Sequence, residues 1–350
     1  MTQITSYSEK YNLHEEKDPQ AWKFYKQQVA QRWDPDEVCL AEDKNVFDKL
    51  SPRYKKLVQD LVAFFAPGDG LVCEQVDHLK AESMDFAQRA FLGEQYSIEV
   101  VHARAYKDII LTLFDKETQD KVFESVDTLP CVREKADYVV KYMNDKSLPL
   151  SLRYVAAAVS EGVFFVSLFA AIFYLREKKI LNRFCFLNEQ VAKDEKLHRD
   201  FDIMMARRGK ELKEFTREQA MEIVQYGIDV EIAHIKYILS EPIDSIEVDA
   251  LGGMTIENME RFIRTLGDQI MTGIGFERCF TFSKEEKDSA RAAADTRILE
   301  FSPPWMSGLS MMKKTNFYEN PVGNYTMISQ KTMVGVTRSS AFEDLDSLGI

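Results

Sequence analysis

The feature that most restricts this chain is the run YVAAAVSEGVFFVSLFAAIFYL at residues 154–175, apolar on every side except for one carboxylate, Glu161. About 20 apolar residues suffice to cross a bilayer, so length alone admits a membrane span. Yet Glu161 lies inside the run, and Arg153, Arg176 and Glu177 flank it closely. Ionisable groups are costly in lipid. A helix that is apolar all round is also what the centre of a large bundle requires, and that reading explains the run without a membrane. It brings an obligation, because an isolated ionised Glu161 in such surroundings is very unfavourable unless something compensates it.

Elsewhere apolar residues recur at helical spacing and strand-like alternation is rare. Helices are expected over 20–32, 52–65, 117–126, 131–144, 151–178, 181–208, 216–240 and 255–274. One long helix or two consecutive ones are expected over 72–114, and a shorter one over 285–297. The stretch Ala66-Pro67-Gly68-Asp69-Gly70 reads as a break or kink, and, because Asp69 must still face Glu99, as a kink or irregular turn inside a longer helix. Only 15 of 350 residues are Gly and 45% are hydrophobic, which fits an all-α bundle, placed at residues 20–312. Residues 1–19 are expected to be an extension and 313–350 a flexible tail. At its tip, Phe342, Leu345 and Leu348 recur every three residues among Glu343, Asp344 and Asp346. That pattern suits a docking peptide or a frayed terminus, and composition does not choose between them.

The net charge of -12 argues against non-specific nucleic-acid binding, which runs on clustered Lys and Arg. Cys39, Cys73, Cys131, Cys185 and Cys279 are odd in number and form no CxxC, so a reducing, cytoplasmic compartment is expected. The polar, acidic N-terminus lacks the apolar core of a secretory signal.

Two Glu-x-x-His pairs, Glu99/His102 and Glu195/His198, carry the chemistry. Residues three apart share a helix face, so each pair can aim a carboxylate and an imidazole at one ion. Asp69 precedes Glu99 by 30 positions and Glu161 precedes Glu195 by 34. One carboxylate followed by Glu-x-x-His, twice, is the pattern of two helix pairs facing each other across a bundle core. Four carboxylates and two histidines around two ions suit iron or manganese. Metal binding would also compensate Glu161. A third pair, Glu231/His234, has no separate carboxylate before it in an apolar helix and is read as ordinary, as are His14 and His78.

Tyr106 follows His102 by four residues, one turn along the same face and close to the metal pair. Phe165 and Phe169 follow Glu161 by four and eight, and Val191 precedes Glu195 by four. Together they can wall Tyr106 with apolar groups, the dryness that a tyrosyl radical needs. Ordinary core packing uses the same residue types.

The segments FFAPGDG around Asp69, SIEVVHARAY ending at Tyr106, SEGVFF around Glu161 and NEQVAKDEKLH ending at His198 resemble the ligand motifs of the class I ribonucleotide reductase small subunit. WDPDEV from Trp33 and KTNFYENPVGNY ending at Tyr325 extend the likeness. The resemblance implies a ferritin-like helical fold, a homodimer and a separate large catalytic subunit. It implies that Asp69, Glu99, His102, Glu161, Glu195 and His198 hold a dinuclear centre of two iron ions, two manganese ions or one of each. Tyr106 would bear the radical, and Trp33 and Asp194 would form a relay with His102. Tyr325 would carry the radical onward, and the acidic tip would dock the tail on the large subunit. An accessory flavoprotein activator is left open. One departure is Lys193, where many relatives have Arg; the two are not interchangeable at bidentate contacts. Two rival readings are another ferritin-like dimetal oxidase, such as an acyl desaturase, and a non-catalytic metal-storage protein. The oxidases usually begin their ligand set with Glu rather than Asp69, and storage needs neither Tyr106 nor a docking tail.

Overall fold

The computed structural model describes residues 17–83, 85–240, 253–283 and 297–306. The N-terminal extension through residue 16 with His14, nearly all of the short helix expected at 285–297, and the tail with Tyr325 and its apolar tip lie outside the described residues.

The expected all-α architecture is what the chain adopts. Helix α1 (Pro19–Ala30) starts where Asp18 accepts a hydrogen bond from the Ala21 N–H, with Pro in the first turn. A 3₁₀ turn (Pro35–Glu37) and a short helix α2 (Ala41–Phe47), neither expected from the sequence, lead to two long helices, α3 (Pro52–Glu82) and α4 (Phe86–Leu113). Ser51 and Asp85 cap their N-termini. The link between them is short and they pack along each other, as antiparallel neighbours do.

Helix α3 runs through Pro67 as the longer helix expected there, without the irregular turn. Proline offers no N–H to the carbonyl four residues earlier, that of Ala63. The hydroxyl of Ser125, fully buried in the short helix α6 (Ser125–Thr128), donates to that carbonyl instead. The lost bond is replaced from outside the helix, so the helix persists and the chain turns at Ser83 instead.

After α5 (Lys116–Phe123), the helix α7 (Pro130–Asn144) leads to the apolar run. The run forms α8 (Leu150–Val159), a π-helical segment (Ser160–Phe165) and α9 (Val166–Glu177). Its apolar window is 94% buried inside the protein, so it is the bundle's central helix. The sequence reading draws one uninterrupted α-helix here and misses the π segment, which inserts an extra residue at Glu161; such bulges are frequent at functional sites. Gly162 fits there because a Cβ would come within 2.5 Å of Arg199 Cδ.

Helix α10 (Asn182–Glu211) lies along α8, and α11 (Arg217–Ile238) and α12 (Ile256–Ile274) pack on the central helix as well. Among the described residues the one sheet is a two-residue parallel pair, Thr281–Phe282 with Ile298–Leu299. Asp268 of α12 fixes its first strand, accepting from the backbone N–H groups of Cys279, Phe280 and Thr281.

Replacing Ser125 with Ala should orphan the Ala63 carbonyl in a dry core and destabilise the fold by about 1–3 kcal/mol. Denaturant unfolding measures this. A change within error would mean that the carbonyl finds another donor and that Ser125 does not sustain the helix through Pro67.

Candidate metal centre

Four elements converge on one buried point. Asp69 comes from α3, Glu99 and His102 from α4, Glu161 from the π segment, and Glu195 and His198 from α10. All six side chains have at most 1% exposure, which excludes the water that would otherwise solvate four carboxylates.

Two groups with metal-ligand spacing emerge, and they overlap. Asp69, Glu99, His102 and Glu195 offer ligand atoms within 4.8 Å of one another, and so do Glu99, Glu161, Glu195 and His198. Glu99 and Glu195 belong to both, as carboxylates shared between two ions must. His102 Nδ1 lies 3.1 Å from Glu99 Oε2 and 3.3 Å from Glu195 Oε1. His198 Nδ1 lies 2.9 Å from Glu99 Oε1 and 3.0 Å from Glu195 Oε2. The same nitrogen of each imidazole therefore faces the shared carboxylates.

The opposite edges of the two rings are tied to a polar strip. His102 Nε2 sits 3.1 Å from Asp194 Oδ2, which also accepts from the Trp33 indole N–H at 2.8 Å. Gln28 donates to Asp194 Oδ1 at 2.8 Å, and its own carbonyl lies 3.1 Å from His198 Nε2. Gln28 thus links the two imidazoles, and sequence reasoning missed it. Gln95 donates to Glu161 Oε1 at 2.9 Å and was also missed, although it precedes Glu99 by one helical turn.

Tyr106 is 1% exposed, and its hydroxyl donates to Asn188 Oδ1 at 2.8 Å. The Asn188 amide N–H₂ is committed to the Phe184 carbonyl at 2.8 Å, which fixes the oxygen towards the tyrosine. The ring stacked on Tyr106 is Phe65, with centroids 4.5 Å apart and planes 9° from parallel. Phe165 and Phe169 back Phe65 at 5.7 and 5.5 Å. Phe65 therefore joins the predicted wall residues Phe165 and Phe169 in one aromatic group beside Tyr106. Val191 is buried as well. Lys193 reaches Gln190 at 3.3 Å, away from the six clustered side chains. Glu231 and His234 stand apart from both ligand groups, as expected, but they are fully buried rather than a surface pair.

The donor set fits a pair of cations. Both oxygens of Asp69 and Glu161 Oε2 are buried with no hydrogen-bond partner, an arrangement too costly for interior carboxylates to sustain alone. Burial pushes the Asp69 carboxyl well above the usual range; His102 opposes this, and Glu99 and Glu195 reinforce it. Burial followed by Glu195 and Glu99 does the same to Glu161. For the imidazoles burial acts downward, but the charge of Glu99 and bonds to neighbouring carboxylates outweigh it. His102 is held well above its ordinary value, and His198 is raised to about 10. For Glu195 the bonds and charges of both histidines outweigh burial and hold it low. Protons stand in this cluster where cations would.

Comparisons with known proteins agree with this geometry. The family described as "Ribonucleotide reductase, small chain" matches residues 10–287. The ribonucleoside-diphosphate reductase subunit M2 of Mesocricetus auratus is 31% identical over 87% of this chain and 72% of its own length. Among solved structures, the ribonucleotide reductase R2 subunit from Clostridium botulinum superposes with a TM-score of 0.68 at 19% identity, covering 83% of this chain and 87% of that one. A ribonucleotide reductase homodimer from Saccharomyces cerevisiae gives 0.65 at 23% identity, covering 77% and 82%. At these identities the two structures speak for the ferritin-like fold alone.

Ions entering this centre must displace its protons. At any pH below about 10 His198 carries one, so uptake should release protons and affinity should fall as pH falls. Manganese(II) titration in weak buffer with a pH indicator measures both effects. Uptake without proton release, and affinity independent of pH, would contradict the protonated cluster.

Proposed function

We propose a detailed function from one premise: the chain belongs to the ribonucleotide reductase small-chain family. It is the small subunit of ribonucleotide reductase and, in our reading, generates and holds the oxidising equivalent that initiates ribonucleotide reduction in the large subunit. The observation that carries the reading is the pair of overlapping ligand groups sharing Glu99 and Glu195, with a dry tyrosine one turn beyond His102.

Glu99 and Glu195 would bridge the ions, Asp69 and His102 would complete one site, and Glu161 and His198 the other. When bound, the ions (two iron, two manganese or one of each) supply one-electron oxidising power. Asp194 orients His102 through its outer nitrogen, and Gln28 does the same for His198, so both inner nitrogens stay turned to the metals. Burial, with Asp69, Glu195 and Glu99 adding to it, pushes the Tyr106 phenol well above its ordinary value, so phenolate is not available. An amide oxygen can hold the phenolic proton but cannot take it. Asn188 therefore fixes the Tyr106 hydroxyl without deprotonating it, and the phenol keeps its proton at rest. The hole would pass outward from His102 through Asp194 to Trp33, whose ring lies 6.0 Å from His102.

We assign residues 20–312 to the dimetal domain and 313–350 to a tail that docks on the large subunit, with Tyr325 as the next carrier. The homodimer and the cytoplasmic compartment belong to the same proposal, supported by family membership alone.

Tyr106→Phe should keep two bound ions and lose any tyrosyl radical signal in electron paramagnetic resonance; persistence of the signal would exclude Tyr106. Tyr325→Phe should retain the cofactor and abolish turnover, so normal turnover removes Tyr325 from the path. Deleting residues 331–350 should abolish binding to the large subunit with the metals retained. A truncated chain that still binds the large subunit would show that docking lies elsewhere.

A further inference from the structure

A second polar cluster lies beside the π segment, outside the metal centre. Lys135 of α7 and Glu231 of α11 are fully buried and form an ion pair, Nζ to Oε2, of 2.6 Å. Lys135 Nζ also donates to the Phe164 carbonyl at 3.4 Å and lies 3.9 Å from the centre of the Phe64 ring. The Ser167 hydroxyl donates to the other oxygen of Glu231. Phe164 is in the last turn of the π segment and Ser167 in the first turn of α9. Two neighbouring helices therefore grip the central helix on either side of the point where π geometry ends.

Buried ion pairs are poor stabilising devices, and apolar replacement is often neutral or favourable. This pair has something else to hold. A π segment carries one extra residue, and nothing in an apolar helix fixes which turn takes it up. A carbonyl claimed by Lys135 and a hydroxyl claimed by Glu231 do fix it. Glu161 sits three residues before Phe164 on that segment, and it belongs only to the ligand group of His198.

We propose that Lys135 and Glu231 are positioning residues that lock the register of the π segment and so set the reach of Glu161 to the ion held with His198. The ion held by Asp69 and His102 does not depend on them. This rests on the dimetal reading above.

The test is equilibrium manganese(II) binding against a chelator, with electron paramagnetic resonance to separate coupled from isolated ions. Lys135→Met should bind the first ion normally and the second about tenfold more weakly, the lower end of what outer-shell changes cause. That variant leaves a lone buried Glu231, so the deciding protein is Lys135→Met with Glu231→Met, which has no unpaired charge to unfold it. Second-site weakening that persists in a double variant of wild-type melting temperature supports the proposal. Two ions bound with wild-type affinity in that protein overturns it, leaving the pair as mutual charge compensation only. The unmodified protein guards the premise: a failure to take two ions there sinks the dimetal reading and the proposal with it, whereas two coupled ions retained in Glu161→Ala removes Glu161 from the ligand set and overturns this proposal alone.

Discussion

The structure depends on one electrostatic constraint: four carboxylates gathered in an interior without water. A single buried carboxylate without partners is already costly. Here Asp69, Glu99, Glu161 and Glu195 are brought together, and several of their oxygens have no donor at all. Only concentrated positive charge, as protons or metal ions, makes such a point tenable. The surrounding fold is built to keep it so. The central helix is apolar in every direction, and the phenylalanine cluster of Phe64, Phe65, Phe165 and Phe169 keeps the Tyr106 side dry. Polar groups enter where they hold a ligand, as Gln95 holds Glu161 and Asp194 holds His102.

The clustering of the two Glu–His pairs was legible because helical geometry makes residues three apart neighbours whatever the rest of the fold does. The same one-turn rule that pointed to Phe165 and Val191 also reaches Phe65, four residues before Asp69, and Gln95, four before Glu99, but it was not applied there. Asn188 shares the stripe of Val191 and Glu195 and was within reach too. Gln28 was not legible: it comes from α1, and its partners lie more than 160 residues away. The longer helix through Pro67 was legible, but its regularity there was not, for a related reason. Local propensity records the donor that proline lacks, whereas the replacement at Ser125 is a tertiary fact. The π segment leaves no periodic signature in a run where every position is apolar.

The Asp194 side has a different physical character. Asp194 is the junction of Trp33, Gln28 and His102, and its two oxygens are both engaged. A carboxylate satisfied in this way is pinned, so the indole and the imidazole keep a fixed relation across it. Trp33 remains 8% exposed while His102 is fully enclosed. The polar strip is thus the one direction, among the contacts described, in which the centre is linked by hydrogen bonds towards the protein surface. Dryness at Tyr106 and connection at Trp33 are separate tasks, and they are assigned to opposite sides of His102.

The three Glu-x-x-His sequences show why a motif does not decide its own fate. Glu231 meets a cation supplied by the chain, Lys135, and its charge is balanced on the spot. His234 beside it is driven well below its ordinary value, by burial and then by the same lysine, so it is neutral, and its Nδ1 is without a partner. Glu99 and Glu195 have no lysine or arginine within salt-bridge reach among the described residues, and their histidines are pushed the opposite way. One helical spacing therefore produces two environments of opposite sign. What separates a metal centre from a structural ion pair is whether the fold supplies the counter-charge or leaves it to come from outside.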